Sequence, residues 1–315
     1  MRFRWTRLGV LIGMAVAFSV ASVSTVAQQQ QQQQKPGDAL SNPFAVMAQA
    51  QAAAAAKIKE AAAAPTPRTA DGHPNLTGYW TPPVDFLALI TGGSKGAFGP
   101  NGSTTRPLVG SESQEHAGNI AGVAAREKNA SLRPTYKPEF QAKAKEYFEK
   151  AAYFDPAYKC APPGVPRLGA PTEIVQTPSA VYLLYANLVS IPNPYRIIPT
   201  DGRQHDPNAE AMANGDAVGR WEGDTLVIDV ANLDPDTWLD GDGSFHDGNL
   251  HVVERLTRQG NTLRYEVTED DPTMFAKPFS PAPITLILGP ANGHAPEDYP
   301  CVEKDQSHLT TTERH

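Results

Sequence analysis

The chain has 315 residues, 27 lysines and arginines against 34 aspartates and glutamates, a formal net charge of −7 and only two cysteines. An acidic balance argues against nucleic acid or an anionic membrane surface as a partner, and two cysteines allow one bridge at most. That excludes a disulfide-dense scaffold and a four-cysteine zinc site.

At the start, Arg2, Arg4 and Arg7 precede an apolar run from Leu8 to Val26, and Thr25-Val26-Ala27 supplies small residues. This order of charged, apolar and small residues predicts a secretory signal peptide over 1–27, with an uncleaved anchor as the alternative. Its removal takes away three arginines and moves the net charge from −7 to −10. No stable membrane insertion is expected after cleavage. Seven glutamines follow at 28–34, then an alanine-rich tract up to Pro65 and Pro67. Residues 28–67 read as a low-complexity spacer carrying a loosely held helix, because alanine favours helix but offers little apolar bulk for docking.

A single β-rich domain is expected over 68–315. Leu76 to Trp80 enters a first short strand, and the Gly-, Ser- and Pro-rich stretch 93–111 reads as loop. Pro138 to Ala152 reads as a helix, with Phe140, Ala144, Tyr147, Phe148 and Ala151 on one face and Pro138 in the first turn. Cys160 and Cys301 are expected to be joined in an exported chain.

Strands follow at Glu173–Pro178, Val181–Tyr185, Tyr195–Pro199 and later Pro283–Leu288. Asp201-Gly202 makes a turn that places Arg203 and His205 at a strand end. There they are able to surround a pocket mouth; the alternative is that Asp201 and Arg203 cap the turn while His205 is solvated.

Two hairpins dominate the rest. Trp221 leads into the turn Glu222-Gly223-Asp224 and the β-branched strand Thr225–Val230. Trp221 is expected to plug one end of the core and is a secondary ligand candidate. In the second hairpin, Leu250, Val252, Glu254 and Leu256 alternate with polar residues, Gln259-Gly260-Asn261 turns the chain, and Leu263, Tyr265 and Val267 return on the same face. Glu254 is then the one ionisable group on an apolar face. It must pair with a buried arginine such as Arg196, Arg203 or Arg220, or serve a ligand cavity beside Tyr265. His251 and Glu254 point to opposite faces, so they are not a metal pair.

Between the hairpins, residues 234–247 hold five aspartates. Read as a calcium loop from Asp240, the run puts Phe245 where glycine is needed and His251 where a bidentate glutamate is needed. It is not an EF-hand; the choice is between a looser cation site and a turn-rich loop.

The absence of a strand–helix alternation and of Gly-rich phosphate loops predicts antiparallel β structure, an eight-or-so-stranded barrel of the lipocalin type with one or two peripheral helices. A sandwich is the alternative. No cofactor and no metal is expected.

Together the segments DGHPNLTGYW, CAPPGVPR, DGRQH, GRWEGDTLVIDV, DTWLDGDGSFH, LHVVER and EDDP resemble a family of exported bacterial proteins from about residue 68 to the end. That family has no settled activity, so the resemblance implies export and domain extent without naming chemistry. The chain departs from its pattern before Gly215, where AEAMAN replaces an aromatic-bearing segment. Two function classes follow. One is an exported barrel that binds a small, largely apolar or aromatic molecule. The other is a cofactor-independent acid–base enzyme, a hydratase, lyase or isomerase, in which Glu254 and His205 move protons and Arg203 steadies an oxyanion.

Overall fold

A computed structural model describes residues 43–83, 132–159, 161–185 and 195–295. The signal segment, the glutamine run, the loop at 93–111, Cys160 and Cys301 lie outside the described residues.

Nine strands form one antiparallel sheet that curls into a nearly closed barrel: β1 Gly78–Thr81, β2 Glu173–Gln176, β3 Ala180–Leu184, β4 Tyr195–Pro199, β5 Asp216–Glu222, β6 Thr225–Ala231, β7 His251–Gln259, β8 Thr262–Asp270 and β9 Ile284–Leu288. The spatial order is β4-β3-β2-β1-β9-β8-β7-β6-β5. The barrel expectation therefore holds.

Strand β1 splices the two halves of the wall. Gly78 and Tyr79 pair with β2, whereas Trp80 and Thr81 pair with β9. The seam that remains lies between the edge strands β4 and β5. A Cβ at Gly219 would stand 2.8 Å from Ile198 Cγ2 and 3.2 Å from the Pro199 carbonyl oxygen, so glycine lets the two edges meet.

The register follows the hydrophobic alternation. Glu254 faces Val267 and Ile228, Leu256 faces Tyr265 and Leu226, and Arg258 faces Leu263. This places Val252, Glu254, Leu256, Leu263, Tyr265 and Val267 inside, as the two-residue period requires. Both hairpins turn on two residues whose first is a glycine with positive φ, Gly223 at 60° and Gly260 at 57°. That is the position a type II′ turn reserves for glycine. Trp80, Ile174, Leu183, Ile198, Ile228 and Leu256 fill the centre and belong to one continuous apolar cluster.

Helix α1, Pro43–Ala62, precedes the barrel. Its C-terminal end is docked rather than loose: Asn261 N donates to the Ala61 carbonyl at 2.8 Å and Gly260 N to Thr66 Oγ1 at 2.7 Å. Chain attached to the barrel thus begins ahead of residue 68. Helices α2, Gln141–Glu149, and α3, Ala151–Phe154, follow a single 3-10 turn at Pro138–Phe140. Ala144 and Phe148 of α2 are buried, and Tyr147 packs against Trp238 and Phe245 of the acidic loop. Among the described residues no helix is long and apolar enough to cross a membrane.

Candidate functional site

Glu254 is 1 % exposed, and its partner is Arg196 of β4, itself 4 % exposed. Arg196 Nη1 donates to Glu254 Oε1 at 3.0 Å and to Tyr185 Oη at 3.1 Å, and Tyr265 Oη donates to the same Oε1 at 2.8 Å. Arg196 Nη2 and Glu254 Oε2 approach to 2.6 Å at an angle that makes the contact ionic rather than a hydrogen bond. Burial works against the Arg196 charge, but Glu254 and the two hydrogen bonds outweigh it and keep the guanidinium charged. The Tyr185 phenol is pushed by burial up to about 12, so it stays protonated at neutral pH. The network lies among buried apolar neighbours, and Tyr265 serves it as a hydrogen-bond donor.

The other residues singled out in the sequence lie elsewhere. Asp201 and Arg203 form an exposed fork-to-fork pair, with Arg203 Nη2 2.6 Å from Asp201 Oδ2. The arginine's hydrogen bonds hold the Asp201 carboxyl down at about 2. His205 sits on the outer wall, its Nδ1 2.9 Å from Asp216 Oδ2 and its Nε2 2.9 Å from Asp229 Oδ1. Asp229 also meets His251 Nε2 at 2.7 Å. Because Ile228, the neighbour of Asp229, is the residue facing Glu254, the barrel wall separates His205 from Glu254. The structure does not bring Glu254, His205 and Arg203 into one site. Trp221 packs at the edge of the core and stacks on His73 with centroids 4.5 Å apart.

The acidic loop uses its carboxylates as turn caps. Asp240 Oδ1 accepts from Asp242 N and Ser244 N at 2.8 and 3.0 Å, Asp234 Oδ1 from Asp236 N at 3.0 Å, and Asp247 Oδ1 from Asn249 N at 2.7 Å. Buried Asp271 receives the backbone N–H groups of Asp247, Thr273 and Met274. Aspartate is dense here because its short carboxylate closes such turns. Among the described residues, no group of three His, Cys, Asp or Glu is placed to hold a metal ion.

A cleft of about 590 Å³ opens outside the barrel, between α2 and this loop. Tyr147, Phe154, Trp238 and Phe245 supply aromatic wall, and Met212 and Ala213 a further apolar side. Tyr147 is the hub, with ring centroids 5.1 Å from Phe154 and 5.3 Å from both Trp238 and Phe245. Gly164 at φ 71° lets the proline-rich segment close in, since a Cβ there would lie 2.5 Å from the Ala213 carbonyl oxygen. Lys143, Asp234 and Asp236 line the same space.

At its floor, His246 Nδ1 donates to the Asp247 carbonyl at 2.7 Å, and its Nε2 lies 3.0 Å from Thr237 Oγ1. Burial lowers the His246 pKa, which favours the neutral ring with Nε2 as an acceptor. The one Thr237 hydroxyl proton then has two acceptors in reach, His246 Nε2 and the Asp234 carbonyl at 2.7 Å.

Reading by period missed this cleft. Its rings come from a short helix and from irregular segments almost a hundred residues apart, and no strand or helix period links them. The signal available was the recurrence of aromatics within DTWLDGDGSFH and EYFEKAAYF. No protein-family model, no curated protein and no solved structure matches the chain.

Proposed function

We propose that the protein is exported and that it binds a small, largely apolar or aromatic molecule in the cleft beside the barrel, without chemical conversion. The observation that carries this reading is the cleft itself. At about 590 Å³ it has the size of a small-molecule site, and its walls combine four aromatic rings with the polar side chains of Lys143, Asp234, Asp236, Thr237 and His246. The charged, apolar and small residues of the first 27 positions support export. The ligand is assigned to the cleft rather than to the barrel interior, where Arg196, Glu254, Tyr185 and Tyr265 are tied to one another by hydrogen bonds. The acid–base reading draws on residues that the barrel wall keeps apart, and no observation favours it.

The test is native mass spectrometry of protein released gently from the periplasm. A co-purified small organic molecule is expected, and it should be lost in Met212→Trp, which fills the cleft from an exposed position. A bare protein that also gives no response to aromatic fragments in ligand-observed NMR would refute the assignment.

A further inference from the structure

The charges around the cleft sort its ligands more finely than size and apolarity do. Lys143 extends from exposed α2 so that its ammonium nitrogen lies 4.5 Å from the Phe245 ring centroid and 5.0 Å from that of Tyr147. Its helix neighbours Lys145 and Lys150 pair with Glu149 and Glu146, but Lys143 makes no salt bridge among the described residues. The ammonium is therefore held at ring faces, where the negative face of the π-system attracts a cation and repels an anion. Asp234 and Asp236 line the same space, and neither makes a salt bridge among the described residues. Two carboxylates without a cation partner among the described residues, ring faces that already seat an ammonium, and a chain of net charge −7 act in the same direction. An anion entering the cleft would meet both carboxylates and the ring faces, with only a flexible lysine to hold it.

We propose that the cleft selects an organic cation, a quaternary or protonated tertiary ammonium carried on an aromatic or apolar body. On binding, the ammonium takes the place over Phe245 and Tyr147 that Lys143 occupies in the free protein, and the lysine swings out to solvent. Asp234 and Asp236 supply the countercharge. This inference rests on the cleft being the ligand site, as proposed above.

Three phenols that differ in their meta substituent separate the possibilities: 3-hydroxyphenyltrimethylammonium, its uncharged isostere 3-tert-butylphenol, and the anion 3-hydroxybenzoate. Isothermal titration calorimetry of the full chain at low ionic strength is expected to rank the cation about five- to thirtyfold above the isostere, with the benzoate weakest. Lys143→Gln should tighten cation binding by removing the competitor, and Asp236→Asn should narrow the gap between cation and isostere. Both positions are exposed, so neither change threatens the fold. Equal affinity for cation and isostere overturns the charge selection and leaves the apolar site standing. A preference for the benzoate that disappears in Lys143→Gln overturns it in favour of an anion site. If none of the three binds, the cleft is not the ligand site and both proposals fall.

Discussion

Glu254 shows what one residue's environment decides. Its carboxylate accepts from Arg196 and Tyr265 in a place with almost no solvent. A buried ion pair adds little to stability against an apolar replacement, yet losing one partner strands the other charge. Glu254→Gln is therefore expected to cost roughly 3–5 kcal/mol in denaturant unfolding. Pairing it with Arg196→Met should recover part of that loss; a double variant as unstable as the summed singles would show that the two charges do not depend on each other. On the outer wall, His205 titrates against Asp216 and Asp229, with His251 and Arg220 also beside Asp229. Burial disfavours the His205 charge, but the hydrogen bonds and charges of Asp229 and Asp216 prevail and raise its pKa above 6.5. Stability from this group is complete below about 6.5 and declines as pH rises through the raised folded value. The difference in unfolding free energy between the native chain and His205→Gln should shrink over that window; a difference constant with pH would contradict the assignment. Alternation alone told which face Glu254 occupies, but three arginines were open as partners. Arg196 comes from a strand across the barrel, and only closure brings it there.

Elements were legible where a period of two or of 3.6 ran long enough. The strands around Gly223 and Gly260 and the helix after Pro138 fall where the sequence puts them, because apolar spacing and turn glycines agree. Helix α1 is the exception. Its alanines carry no apolar stripe of any bulk, so the sequence suggested a loose tether. The attachment is made instead by the Ala61 carbonyl and the Thr66 hydroxyl accepting from the Gly260 turn, which leaves no mark in apolar patterning. Gly260 is the receiving point: its φ is 57°, and a Cβ would lie 2.6–2.9 Å from the carbonyl oxygens of Ala64, Ala61 and Ala62. Gly260→Ala should cost about 1–3 kcal/mol, from the left-handed backbone and from the clash. It should also free the segment from Pro43 to Thr66 for limited proteolysis ahead of global unfolding. Unchanged cleavage kinetics would mean that the helix is held by something other than this turn.

At the scale of the whole molecule, the wall has two outer surfaces. β5 to β8 turn Arg220, Glu222, Asp229, Arg255, Arg264 and Glu266 outward in linked ion pairs. β2 to β4 turn out Val175, Tyr182 and Ile197, which lie side by side across three strands. That contrast was present in the sequence as the richer charge of the later strands. A barrel was expected, but not the pair of strands that closes it, because the β4–β5 seam rests on a close approach at Gly219 rather than on any pattern. At this scale a link between distant parts of the chain falls to Cys160 and Cys301. Ala161, the neighbour of Cys160, lines the cleft, and Ala295, six residues before Cys301, donates its N–H to Glu173 of β2 at 3.0 Å. We propose that the two cysteines are joined to each other. The bridge would close a loop of about 140 residues, and in the chain-entropy model it restricts the unfolded state by roughly 4–5 kcal/mol. Reduction, Cys160→Ser, Cys301→Ser and the double variant should then all lower stability by the same amount, since each removes the same bond. Additive losses in the double variant, or two titratable thiols in folded protein from the periplasm, would show that the cysteines act separately.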